Sequence, residues 1–259
     1  MTGPASKNKP RIAWITGAGK GIGRALALRL ARDGWMVAAS ARTASDLDEL
    51  AASAPAGAVH PFALDVTDLP ATQAVVGEIE RRLGALDLVV LNAGTYVPTD
   101  VAPFNPGSFR AQFEVNVMGV VHGLSAIMPV FVARRRGHIA VVSSVAGYRG
   151  LPAAAAYGAT KAALINMCES MKTELEPHGV AVSVICPGFV KTPLTDKNAF
   201  PMPFLIDADA AADYIVRGLA AGKFEIAFPP LFALIMKTLR ILPNALFFAL
   251  SRRMRPKQD

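Results

Sequence analysis

A chain of 259 residues, 52% hydrophobic and 18% charged, is long and apolar enough to bury a full core, which excludes a disordered or fibrous protein. The net charge of +7 invites a nucleic-acid partner, but the excess sits at the two ends: Lys7, Lys9 and Arg11, then Lys237, Arg240, Arg252, Arg253, Arg255 and Lys257. The body between them is nearly neutral and offers no field to a polyanion, and the two cysteines, Cys168 and Cys186, lie in apolar stretches with no metal or redox spacing. They read as buried free thiols of a reducing, cytoplasmic compartment, with no metal site.

Along the chain, short β-rich runs alternate with amphipathic stretches. Strands are expected at "IAWITG" (12–17), "MVAASA" (36–41), "HPFALD" (60–65), "LDLVVLNAG" (86–94), "HIAVVSS" (138–144), "VAVSVICPG" (180–188) and "FEIAF" (224–228). Helices are expected between them, as at 23–34, where Gly34 stops the run, and at 68–84, opened by Asp68 as an N-cap and closed by Gly84. Near-continuous apolar strands belong to a sheet covered on both faces. The alternation predicts an α/β fold, a doubly wound, Rossmann-like parallel sheet of about seven strands in a single domain. No apolar run reaches the ~18 residues of an uninterrupted membrane span, and no signal-like core precedes "RIAWITG".

Three local patterns point to chemistry. "TGAGKGIGR" (16–24) joins the first strand to the first helix, where an open α/β sheet binds ligands. Its glycines let the backbone turn sharply and approach a pyrophosphate at a helix N-terminus, although their spacing is neither G-x-G-x-x-G nor a P-loop. After the second strand, where an acid would hold a ribose 2′-hydroxyl, stand Ala41 and Arg42; a guanidinium suits a 2′-phosphate, and Lys20 adds a second cation. In "AAAAYGATK" (153–161), Tyr157 and Lys161 are four apart on an expected helix. At ~4 Å and an effective dielectric of ~20 the ammonium is worth about three pKa units to the phenol, enough to bring it near neutrality, with desolvation opposing. A phenol so tuned is a general acid for a carbonyl oxygen, and a base in reverse.

The glycine spacing, T-G-x-x-x-G-x-G, resembles that of the short-chain dehydrogenase/reductase family. "LNAG" (91–94), "YGATK" (157–161) and "PGFVKT" (187–192) are similar to that family's N-A-G, Y-x-x-x-K and P-G-x-x-x-T segments, in order over about residues 10–195. The resemblance implies hydride transfer between NADP(H), with NAD(H) as the other option, and a carbonyl/alcohol pair. It implies Tyr157 as proton donor, Lys161 as the residue that lowers its pKa and binds the nicotinamide ribose, Ser144 (13 residues before Tyr157) on the substrate oxygen, and Asn116 holding a water of the proton relay. The cofactor would lie along Gly17, Gly19, Lys20, Gly21, Ile22, Gly23, Arg42, Asp65, Val66, Asn92, Ala93, Gly94, Tyr157, Lys161, Pro187, Gly188, Val190 and Thr192.

The substrate loop falls at about 190–222, and apolar residues (Tyr96, Tyr148, Leu194, Phe200, Met202, Phe204) favour a hydrophobic small-molecule substrate. The stretch 229–259 reads as two short apolar helices broken at Pro243 with a basic tip; it suits an anionic membrane surface, the interface of a homodimer or homotetramer, or the substrate mouth. A non-catalytic dinucleotide sensor keeps the same fold but has no need of the Asn116, Ser144, Tyr157 and Lys161 set. An epimerase or dehydratase of nucleotide sugars shares Y-x-x-x-K but brings a larger substrate domain.

Overall fold

The computed structural model describes residues 9–99, 102–196 and 201–254; Lys7, Phe200, Arg255 and Lys257 lie outside the described residues. The strands are β1 (Ile12–Thr16), β2 (Met36–Ala41), β3 (Val59–Ala63), β4 (Leu88–Leu91), β5 (Gly137–Val142), β6 (Val180–Pro187) and β7 (Glu225–Phe228). They form one parallel sheet in the order β3-β2-β1-β4-β5-β6-β7, so every expected strand is present. The helices are α1 (Gly21–Arg32), α2 (Ala44–Ala52), α3 (Leu69–Arg82), α4 (Pro106–Phe113), α5 (Gly119–Arg134), α6 (Ala155–Leu175), α7 (Ala208–Ala220), α8 (Pro230–Ile241) and α9 (Asn244–Ser251).

The two-residue strand period explains the two cores. Trp14, Val89, Ile139 and Val141 point to one face, where they meet Ile79 of α3, Ile127 and Phe131 of α5 and Leu164 of α6. Their neighbours Ile15, Leu88, Val90 and Ala140 point to the other, against Leu26 and Leu30 of α1, Leu47 of α2 and Ile215 of α7. Every residue of β1 and β4 is buried, as a central strand between two helix layers requires. The chain runs outward from β1 to β3 and returns to β4 on the other side of β1, which leaves a crevice at the carboxyl ends of those two strands.

Local signals set the boundaries. Asp68 caps α3, its carboxylate accepting from Ala71 N at 2.9 Å. Within the expected loop span 190–222, the residues from Ala208 onward form α7, with Ala211, Ala212 and Ile215 buried. Of the alanines before Tyr157, Ala155 and Ala156 begin α6, whereas Ala153 holds a left-handed φ of 59° outside the helix. A π turn, Glu114–Met118, joins α4 to α5 in one continuous helix, Pro106–Arg134, long and apolar enough by composition to cross a membrane. It is a core helix here, with Val120, Leu124, Ile127 and Phe131 packed beneath the sheet.

Candidate active site

The crevice between β1 and β4 opens into a cleft of about 660 Å³. One end is the glycine loop. Gly17 has a left-handed φ of 66°, and a Cβ there would stand 2.8 Å from Ala93 Cα. Gly23 is tighter still: a Cβ would lie 2.4 Å from the Gly17 carbonyl oxygen and 2.5 Å from Asn92 Nδ2. Only glycine lets α1 start directly under the loop, and α1 has no side-chain hydrogen bond at its N-cap, Lys20. Its first N–H groups are therefore left for an anion, and the residues fit a bound pyrophosphate.

Asn92 and Thr16 fasten this cradle to the sheet. The Thr16 hydroxyl accepts from Asn92 N (3.0 Å) and Ala93 N (3.1 Å), while Asn92 Nδ2 donates to Thr16 O (2.9 Å) and Gly17 O (3.2 Å). Asn92 thus contributes rigidity as well as lining. At the adenosine end, Arg42 and Asp65 both face the cleft. The Thr67 backbone N–H holds the Asp65 carboxyl below its ordinary range against the opposing effect of burial, with the Thr67 hydroxyl and the Arg42 charge adding to the depression. Sequence reasoning missed Asp46: it lines the cleft below Gly19 and pairs with Lys20 at 3.3 Å, so that cation is already partnered.

At the other end stand Ser144, Tyr157 and Lys161. Ser143 and Ser144 follow β5 and point differently. Ser143 Oγ donates to Lys161 O at 2.7 Å and ties the loop to α6. Ser144 Oγ accepts from Ala146 N (3.1 Å), donates to Pro187 O (3.3 Å), and lies in hydrogen-bonding reach of the Tyr157 phenol. Lys161 is 4% exposed; its Nζ donates to Val142 O at 2.8 Å and sits 5.6 Å from the centroid of the Tyr157 ring, which Tyr96 meets edge-on at 5.2 Å.

The electrostatics differ from the expectation of a phenol brought near neutrality. Burial pushes the Tyr157 phenol up to about 12, against the hydrogen bond from Ser144, and burial lowers the Lys161 ammonium to about 8. Desolvation is the largest influence on both groups, and the Lys161 ammonium is bonded to the Val142 carbonyl.

Asn116 and Gly23 lie behind the cleft walls. The π turn aims the fully buried Asn116 side chain at two neighbours: Oδ1 accepts from Thr95 N at 2.7 Å, and Nδ2 donates to Thr95 O (2.9 Å) and Thr160 Oγ1 (3.1 Å). It is a staple between the loop after β4 and α6. Gly94 packs closely beside it: a Cβ there would sit 3.3 Å from Asn116 Oδ1 and 3.6 Å from Lys161 Nζ.

The remaining sequence-predicted residues Gly17, Gly19, Gly21, Ile22, Val66, Ala93, Pro187, Gly188, Val190 and Thr192 all line the cleft. So do Thr95, Val97, Ala111 and Val115, which no motif marked; the loop after β4 brings in the first two, and the end of α4 with the π turn brings in the others. Tyr148 is buried away from the cleft, donating to Glu225 Oε1 at 2.5 Å, and Phe204 packs on Phe232, so neither acts as the lining residue the sequence led us to expect.

A family model described as short chain dehydrogenase matches residues 11–200. An uncharacterized oxidoreductase of Myxococcus xanthus is 42% identical over 247 residues, covering 95% of this chain and 98% of its own. A short chain dehydrogenase of Burkholderia cenocepacia solved in complex with NADP superposes with a TM-score of 0.82 at 27% identity, over 93% of this chain and 98% of that one. The 3-ketoacyl-(acyl-carrier-protein) reductase of Brucella melitensis complexed with NADH gives 0.78 at 26% identity, over 85% and 98%.

Proposed function

We propose, for a chain that by these matches belongs to the short-chain dehydrogenase/reductase family, reversible hydride transfer between NADP(H) and a carbonyl/secondary-alcohol pair on a hydrophobic substrate. It is an oxidoreductase of the nicotinamide-dinucleotide type. The dinucleotide, when bound, supplies or accepts the hydride. The observation that carries the reading is that Ser144, Tyr157 and Lys161 share one end of a cleft whose other end is a glycine cradle under a helix N-terminus.

In the reductive direction the Tyr157 hydroxyl gives its proton to the substrate carbonyl oxygen, and Ser144 Oγ donates a hydrogen bond to the same oxygen as charge develops. A phenol that keeps its proton at neutral pH is loaded for that step. The Lys161 ammonium would offset the charge of the phenolate left behind and would hold the nicotinamide ribose. Asn116 Oδ1 and Lys161 Nζ both come close to Gly94, and this nearness supports the relay role for Asn116. Val97, Ala111, Val115 and Leu194 give the substrate side an apolar wall.

Arg42 at the adenosine end supports NADP(H) over NAD(H), and it carries that preference alone because Lys20 is engaged with Asp46. The buried free thiols Cys168 and Cys186 support a cytoplasmic setting, and the exposed Phe104, Phe113 and Met118 around the start of the long helix support a homo-oligomer, dimer or tetramer. The test is Tyr157→Phe assayed over a carbonyl and alcohol panel with NADPH and NADH in parallel. Turnover should fall about 10²–10⁴-fold with cofactor binding kept; near-normal turnover would overturn the mechanism.

A further inference from the structure

The helix α8 is apolar on both sides. Phe232, Ala233 and Met236 are buried, yet Leu231, Leu234, Ile235 and Ile241 share the outward face and are 40–80% exposed. A surface helix of a globular protein ordinarily turns a polar face outward. Helix α9 repeats the pattern: Phe247 is buried, while Leu246, Phe248 and Leu250 stand in the open. The charge around these residues is one-signed. From Ile226 to Gln258 the sequence contains no carboxylate, and it contains six lysines and arginines. Lys237 pairs with Glu225, leaving Arg240 and Arg253 among the exposed cations of this segment.

We infer that α8 and α9 dock on the surface of an anionic phospholipid bilayer, with the leucine, isoleucine and phenylalanine side chains in the acyl boundary and the arginines at the headgroups. The charge pattern selects this occupant. A second copy meeting the same face would set arginines against arginines with no acid to answer them, and nucleic acid would find no use for the apolar row.

The inner face of α8, opposite the docked one, adjoins the cleft. A Cβ on Gly188 would come within 2.6 Å of Phe232, and Phe232 stacks on Phe189 at 5.5 Å and Phe204 at 5.8 Å. Helix α8 is thus seated on the loop after β6 that lines the cleft, and on the segment carrying Phe204 and Leu205, each 43% exposed. This sets the cleft directly behind the docked helix, which favours an apolar substrate drawn from the bilayer. That last step rests on the proposed hydride-transfer reading; the docking does not.

The test is flotation of the full chain with phosphatidylcholine vesicles, with and without phosphatidylglycerol. The wild type should float with the anionic vesicles. Leu234→Asp with Phe248→Asp should lower the bound fraction about 10-fold, and Arg240→Glu with Arg253→Glu should erase the preference for phosphatidylglycerol. Unchanged thermal unfolding and NADPH binding would show that both variants fold. The inference is overturned if the wild type stays unbound on both vesicles, or if both variants float as it does. It is equally overturned if nothing floats and light scattering shows an oligomer that the Asp variant dissociates. None of these readouts needs turnover, so a failed reaction assay and a failed docking are separate results.

Discussion

The floor of the cleft and the C-terminal helices use opposite strategies. Around the floor, polar groups are buried and paired: Asn116 makes three hydrogen bonds, Ser143 holds the backbone of α6, and Lys161 donates to a strand carbonyl. On α8 and α9 much of the outward side is apolar and exposed among the described residues. A buried polar group must be held in place or its desolvation is uncompensated, whereas an exposed apolar one is fixed by no local partner. The site should therefore be brittle to substitution and the extension tolerant.

The most damaging change expected is Gly23→Ala. The added carbon must displace the Gly17 carbonyl and the Asn92 amide, which are backbone and a doubly bonded side chain with nowhere to retreat. Overpacking of this kind costs about 1–3 kcal/mol, and urea unfolding should show it together with a lost affinity for NADPH. A fully stable Gly23→Ala protein would mean that the cradle is softer than the floor it adjoins. Next in size is Arg42→Asp, at the exposed rim. Losing a charge-assisted contact to a 2′-phosphate, worth about 1.5–3 kcal/mol, should shift the NADPH-to-NADH ratio of kcat/KM by about 10–100-fold toward NADH, with stability unchanged. An unmoved ratio would hand the adenosine end to Asp46 and Asp65.

How much of this was legible in the sequence follows from the same contrast. Strand positions and the glycine loop were readable because apolar periodicity and forced glycine conformations leave marks in the letters themselves, and Asp68 announced its cap. The role of Asn116 was readable only in part. A π turn has no sequence signature, so nothing before the structure could show its amide stapling Thr95 to Thr160. Asp46 was invisible because its approach to Gly19 depends on how α2 returns over the sheet. The phenol was misjudged for a related reason: Tyr–Lys spacing gives proximity, but the direction of the ammonium is set by the Val142 carbonyl, a long-range contact.

That misjudgement yields a subtler effect, visible in pH. Below about 8 the folded protein holds the Lys161 ammonium away from water; the unfolded chain keeps its proton up to the ordinary lysine value of 10.5. Between those values the unfolded chain binds more protons, so the Lys161 contribution to stability improves as pH rises. Cys168 and Cys186, raised by burial from 9 to about 12, act in the opposite sense above pH 9 and must be subtracted. The clean measurement is the difference between wild type and Lys161→Met in urea unfolding of the ligand-free protein. The wild type should gain on the variant as pH climbs from 8 to 10.5, and a flat difference would mean that the ammonium is solvated after all.

The smallest effect expected is the one that says most about the extension. Leu234 is 61% exposed on α8, and glutamine has similar helix propensity. With no partner lost inside the fold, Leu234→Gln should change stability by no more than about 0.5 kcal/mol, read by urea unfolding in the absence of lipid. A row of such positions, each free to become polar at no cost to folding, yet apolar at 231, 234, 235 and 241, is not there for this chain's own core. If Leu234→Gln instead destabilised the isolated protein by more than about 1 kcal/mol, the face would be supporting the fold and the contrast with the cleft floor would collapse.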